Sequence, residues 1–161
     1  MFIVKINKDW LVGFVDGEGC FYVGVNKNET MKFGYQVLPE FRIVQHKRDV
    51  KLLFAIRTFF GHGNVVTNKG KNCDVMEYRV RKLETLSKII IPFFEKNKLQ
   101  TVKKYDFIIF RDIIRLIVSE EHLTREGIER IKELKSRMNR GKQIDENFEF
   151  SGMIDKDRLR T

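Results

Sequence analysis

The chain has 161 residues, with 31 Lys+Arg against 22 Asp+Glu and a formal net charge of +9, a length for one domain with a proper core and a balance that suits a polyanion, nucleic acid before an anionic membrane surface. No apolar run approaches the roughly 20 residues that span a bilayer, and residues 1–5 are too short for a signal peptide. Cys20 and Cys73 form no CxxC pair and no metal-ligand spacing, so both read as free thiols of a reducing compartment.

Residues 10–19 read as a short helix ending in a carboxylate. Trp10, Leu11, Phe14 and Val15 recur at helical spacing and form one apolar face. Gly13 and Gly17 form a second face with no side chains; each costs about 1 kcal/mol relative to alanine inside a helix, and the usual compensation is close approach of another backbone. Gly19 ends the helix and leaves Glu18 at its tip. Residues 20–26 alternate as a strand with Phe21, Val23 and Val25 on one side, and 27–30 form a polar turn. A second strand, 35–45, turns Val37, Phe41 and Ile43 inward and Gln36, Glu40 and Arg42 outward. Pro39 within it implies an edge position or a bulge. Residues 49–60 form an amphipathic helix through Val50, Leu53, Phe54 and Ile56, closed by Gly61-His62-Gly63. Residues 65–69 and 75–81 make a second hairpin around Gly70-Lys71-Asn72, and 83–94 return to helical spacing through Leu86, Ile89, Ile90 and Phe93. The order is αββαββα. Residues 101–118 then carry Tyr105, Ile108, Ile109, Ile113 and Leu116 on one stripe. Residues 123–139 carry Ile128, Ile131 and Leu134 after Thr124 as N-cap. The organisation is one domain, 1–140, and a polar C-terminal tail, 141–161. Residues 150–158 loosely echo the first helix, but no sheet follows them, so one usable copy of the pattern remains.

Leu11-Val12-Gly13-Phe14-Val15-Asp16-Gly17-Glu18-Gly19 resembles the LAGLIDADG motif of homing endonucleases position for position. Val12 and Gly17 stand for the two alanines, Phe14 and Val15 for the apolar pair, and Glu18 for the second aspartate. The resemblance covers about residues 8–140, strong at the motif and diffuse elsewhere. It implies an α+β fold: the αββαββα homing-endonuclease arrangement, with a curved antiparallel DNA-binding sheet and C-terminal helices. In that family two motif helices pack through their small residues, and the last acid of each binds a divalent metal at the DNA. With a single motif the twin helix must come from another copy, so a homodimer is expected, with Leu11, Gly13, Phe14, Asp16 and Gly17 at its axis and a palindromic or nearly palindromic target.

Glu18 is the expected catalytic metal ligand, with the Gly17 carbonyl as a second ligand implied by the resemblance. The expected cofactor is Mg²⁺, a hard cation satisfied by oxygen ligands and water; Mn²⁺ should substitute, and Ca²⁺ should bind without supporting cleavage. Asp16 is read as an acid that hydrogen-bonds backbone near the helix end. Gln45 ends the second strand where the family places a glutamine near the attacking water, and Arg48 is a candidate for phosphate stabilisation. The family's lysine before the long C-terminal helix has two candidates, Lys103 in its Thr-x-Lys setting first and Lys98 second.

A two-stranded ribbon fits the major groove, where each base pair shows a distinct donor and acceptor pattern. The outward set is Tyr22, Gly24, Asn26 and Asn28, then Gln36, Leu38, Glu40 and Arg42. The second hairpin adds Asn64, Val66, Asn68, Glu77, Arg79 and Arg81. Asn, Gln and Arg can contact bases bidentately and Glu can accept from cytosine, whereas Lys27, Lys69 and Lys71 at hairpin tips suit phosphates or outer bases. His46, His62 and His122 make no cluster, and no HNH, Walker or zinc pattern appears. The expectation is a site-specific, intron-type double-strand DNA endonuclease cutting a long pseudo-palindromic site by metal-dependent hydrolysis. An RNA maturase that binds its host intron RNA and a non-catalytic DNA-binding regulator are the alternatives on the same fold. No membrane is expected as partner, and the setting is intracellular, at DNA, in an organelle (chloroplast or mitochondrion) or a prokaryote.

Overall fold

A computed structural model describes residues 4–67 and 74–139. Helix α1 (Lys8–Glu18) starts at Asn7, whose side-chain oxygen accepts from the amides of Asp9 at 2.8 Å and Trp10 at 3.4 Å. That cap satisfies donors with no intrahelical partner. At its other end Gly19 turns the chain directly into β1 (Gly19–Lys27) with no loop between. A Cβ at Gly19 would lie 2.6 Å from Val15 Cγ1 and 2.8 Å from the Val15 carbonyl oxygen, so close packing of the turn demands the glycine there.

Strand β2 (Tyr35–His46) pairs antiparallel with β1 from Lys27↔Tyr35 to Gly19↔Ile43. Strands β3 (Asn64–Thr67) and β4 (Val75–Val80) complete an antiparallel sheet in the order β1-β2-β4-β3. β2 is interior, yet its register with β4 begins only at Phe41, so Pro39 has β1 on one side and no β4 partner on the other. The edge expected from that proline is a local one.

A 3₁₀ turn, Lys47–Asp49, leads into α2 (Val50–Phe60), which Gly61 ends in the left-handed conformation, φ 71°. The expected helix over 83–94 is a continuous run of three pieces: α3 (Leu83–Thr85), a π turn (Leu86–Ile90) and α4 (Ile91–Lys96). Pro92 has no N–H to return to the Lys88 carbonyl, which accounts for the irregularity beside it. Helix α5 (Lys103–Val118) follows, then α6 (Arg125–Ser136), where the Thr124 hydroxyl oxygen accepts from the Gly127 amide at 3.0 Å as the expected cap.

The helices bury one face of the sheet. Phe21, Val23, Phe41, Ile43, Tyr78 and Val80 meet Leu11 and Val15 of α1, Leu53 and Ile56 of α2, and Phe107, Phe110 and Ile113 of α5 in one cluster. Phe21 is central: its ring centroid lies 5.1 Å from Phe41, 5.6 Å from Phe94, and 5.4 Å from both Phe107 and Phe110. Losing such a ring costs about 3–5 kcal/mol.

Three expected apolar assignments differ. Phe54 of α2 is exposed. On α5 the buried side chains are Phe107, Phe110, Ile113, Ile114, Leu116 and Ile117, whereas Tyr105, Ile108 and Ile109 are only partly covered. The helix is apolar around much of its circumference, so periodicity alone did not say which side the sheet would take. On α1 the core takes Leu11, Val12 and Val15 and leaves Trp10 exposed. The turn 68–73, with Asn68, Lys69, Lys71 and Cys73, and the tail 141–161 lie outside the described residues.

Candidate active site and nucleic-acid face

Glu18 is the last residue of α1, exposed, with no hydrogen bond or ion pair among the described residues. It stands at the negative end of a helix dipole, where exposed carbonyls add to its charge. A carboxylate and carbonyl oxygens in that setting are the donors a hard divalent cation takes. No cluster of three His, Cys, Asp or Glu exists among the described residues. A cation at Glu18 would therefore complete its shell with water, phosphate oxygens or a second copy's carboxylate.

Lys103 separates from Lys98 on geometry. Its Nζ donates to the Val15 carbonyl at 2.8 Å, while the Lys98 side chain is exposed and only its carbonyl is used, accepting from Gln100 Nε2 at 3.1 Å. Burial pulls the Lys103 ammonium below the ordinary lysine value, and the charges of Cys20, Asp16, Glu18 and Asp106 oppose that fall. The Asp16 carboxylate accepts from the amides of Gln100 at 2.8 Å and Thr101 at 3.0 Å, and from the Thr101 hydroxyl at 2.7 Å. Burial raises its pKa, but these bonds and the Lys103 charge bring it below the usual carboxylate value. Asp16 does bond backbone, as expected, though on the segment leading into α5 rather than at its own helix end.

Two further residues of this network carried no motif and were missed. Asp106 accepts from the Asn139 amide at 2.8 Å, and Asn139 Nδ2 donates to the Phe21 carbonyl at 3.3 Å. Burial raises the Asp106 pKa, with the Asn139 amide and Lys103 acting against it. Asn139 adopts φ 53°, an uncommon conformation for a non-glycine residue, a backbone feature that the sequence does not display.

Gln45 is partly exposed near the end of β2; because Gly19 pairs with Ile43, it lies at the Glu18 end of the sheet. Arg48 is exposed, donates its amide to His46 Nδ1 at 3.1 Å and lies 3.6 Å from Asp49. No contact joins it to Glu18. His46 thereby serves as the cap of the 3₁₀ turn.

The outer face of α1 is open. Cβ atoms built at Gly13 and Gly17 meet nothing within 4 Å, so the close-approaching backbone they imply is absent from the described residues. Trp10, Gly13, Phe14 and Gly17 follow i, i+3, i+4, i+7 and share this side, with the Trp10 and Phe14 rings stacked at 4.8 Å and 14°. Leu11, expected among the interface residues, is fully buried in the chain's own core: at about 3.6 residues per turn it points away from the glycines, whereas exposed Trp10 stands on their side.

The register sets the expected outward residues on one sheet face: Tyr22 beside Glu40, Gly24 beside Leu38, Asn26 beside Gln36, Arg42 beside Arg79, and Asn64 and Val66 beside Arg79 and Glu77. Tyr22, Asn26, Leu38 and Asn64 are exposed. Asn28 donates to Gln36 Oε1 at 3.2 Å and accepts from the Thr30 amide at 3.0 Å, bracing the first hairpin. Glu40 and Glu77 are buried instead, each paired with arginine.

A family model described as LAGLIDADG endonuclease matches residues 11–114. The chain is 35% identical over 145 residues to probable intron-encoded endonuclease 2 of Neurospora crassa, covering 89% of this chain and 32% of that protein. It thus spans about a third of the length of such curated relatives. Among solved structures, the homing endonuclease I-TnaI is similar at TM-score 0.79 and 54% identity, covering 84% of this chain and 90% of that one. I-SmaMI bound to uncleaved DNA target in the presence of calcium ions is similar at TM-score 0.81 and 39% identity, covering 84% of this chain and 46% of that one.

Proposed function

The chain belongs to the LAGLIDADG endonuclease family, and on that premise we propose that it is a site-specific, magnesium-dependent double-strand DNA endonuclease. The observation that carries this reading is the Glu18 carboxylate, exposed and unpaired among the described residues at the tip of α1, with the Lys103 ammonium tied three residues back along the same helix. A divalent cation held by Glu18, with the Gly17 carbonyl, would supply Lewis acidity to a phosphodiester and lower the pKa of the attacking water. Lys103 keeps a positive charge, fixed by Val15, near the phosphate that gains charge in the transition state. Asp16 holds the backbone of Gln100 and Thr101 and so sets where α5 begins. Gln45 orients the water from the strand end, and Arg48 reaches a flanking phosphate.

The sheet face carrying Tyr22, Asn26, Gln36, Leu38, Arg42, Asn64, Val66 and Arg79 enters the major groove. Asn68, Lys69 and Lys71 are sequence-based additions to it. The net charge of +9 supports a DNA partner. The open stripe of Trp10, Gly13, Phe14 and Gly17 packs on its twin in a second copy, which brings two Glu18 carboxylates together over two strands. Such an enzyme works at DNA inside the cell, and an organellar setting is part of this proposal.

Selection of cleaved sites from a randomised duplex library in Mg²⁺ tests the proposal. A long, near-palindromic consensus is expected. Cleavage of both strands by a species that sizes as a monomer would overturn the dimer, and retention of an RNA alone, with no cut duplex, would favour the maturase.

A further inference from the structure

Glu40 and Glu77 are the two buried acids among the described residues, and both sit on the sheet face assigned to DNA. A glutamate that reads cytosine has to present a free oxygen to the exocyclic amine. Both carboxylates are instead buried and bonded to arginine, Glu40 through both oxygens and Glu77 through Oε1. Glu77 Oε1 accepts from Arg79 Nη1 at 3.0 Å. Glu40 Oε1 accepts from Arg42 Nη1 at 3.5 Å, and Glu40 Oε2 accepts from Arg81 Nε in a close pair. Side-chain exposure divides the same way: 6% for Glu40 and 7% for Glu77, against 27% for Arg79, 37% for Arg42 and 62% for Arg81.

Arg42 and Arg79 are direct cross-strand partners. Like charges at that spacing repel, and a carboxylate beneath each one offsets the repulsion. The Tyr22 ring adds to this, 5.5 Å from the Arg42 guanidinium. A guanidinium has five N–H donors in a fixed fork, so an arginine giving one edge to a buried glutamate still has donors for the O6 and N7 of guanine. Holding it there before DNA arrives also removes the ordering cost that a free side chain meets on binding.

We infer that Glu40 and Glu77 are positioning residues for base recognition: they touch no base, and they aim Arg42 with Arg81, and Arg79, at guanines of the target. This rests on the DNA reading above, and it places guanines, not cytosines, of the contacted strand opposite the centre of the sheet.

A double-mutant cycle tests it. Unmodified protein, Glu77→Gln, Arg79→Lys and the double variant are each used in selection from randomised duplexes in Ca²⁺, followed by binding to single-base variants of the selected site. The unmodified protein should discriminate roughly 5- to 150-fold for guanine at one symmetric pair of positions. Glu77→Gln and Arg79→Lys should both lose preference at that same pair, and the double variant should lose no more than Arg79→Lys alone. Where Glu77→Gln impairs folding, Glu77→Asp keeps the charge and draws the oxygens back: loss of guanine preference at that same pair supports the inference, and unchanged preference overturns it. Loss of a cytosine at a different position in Glu77→Gln, with effects that add in the double variant, would overturn the inference. Failure of the unmodified protein to select any sequence would overturn the DNA reading itself, and is a distinct result.

Discussion

The Lys103 ammonium donates to the Val15 carbonyl at 2.8 Å, so the first residue of α5 is latched onto the last turn of α1, three residues from Glu18. That bond holds the Lys103 ammonium on the helix that carries Glu18, and it ranks Lys103 above Lys98 for the proposed reaction.

Lys103→Met should lower the cleavage rate by about 10²- to 10³-fold, as expected for removing one transition-state donor, with target affinity close to unchanged. Lys98→Ala should cleave normally. Burial lowers the Lys103 pKa, so its cation is lost at a pH below the ordinary 10.5. Single-turnover rates should therefore fall as pH rises toward that value, and Lys103→Arg should flatten the decline.

Glu18→Gln keeps the shape of the helix tip and removes its charge. Cleavage in Mg²⁺ should vanish while filter binding in Ca²⁺ survives. Nicking that persists in Mg²⁺ would remove Glu18 from the metal site.

Gly13 and Gly19 of the motif should behave differently. Gly13→Ala meets nothing in the chain, so thermal stability of the single chain should hold or rise by up to about 1 kcal/mol, while sedimentation shows weaker self-association. Gly13→Leu should block association outright. Gly19→Ala drives a methyl into Val15 and should cost about 1–3 kcal/mol in denaturant unfolding, with association affected only through folding.

Asp16 supplies a pH test of the latch. Burial raises its pKa, but the bonds from Gln100 and Thr101 and the Lys103 charge bring it below 3.8. A lowered folded-state pKa means that its stabilisation is complete above the unfolded value and fades as pH falls through the folded one. Urea titrations of Asp16→Asn should show a constant deficit near neutrality that shrinks below pH 3.8.

Much of the fold was legible because β1 and β2 carry a clean period of two and α2, Phe54 apart, a helical one. Pro39, Thr124 and Gly61 announced a locally unpaired stretch, a cap and a stop through a missing N–H, a side-chain hydroxyl and a left-handed φ. The candidate site was legible only where one local segment carries it, from Gly13 to Gly19. Asp106 and Asn139 escaped notice because their partners, Asn139 and Phe21, lie 33 and 118 residues away, and no spacing rule reaches that far.

Amino-acid order by itself determined the motif helix, the alternation of the strands and the positive charge, since each is set by neighbours within a turn or a pleat. Tertiary structure alone decided which side of α1 and α5 the core would claim, which lysine closes on Val15, and that Glu40 and Glu77 face arginines. Those outcomes depend on strand register and helix packing, which bring together groups that share no local signal and let burial choose among chemically equivalent candidates.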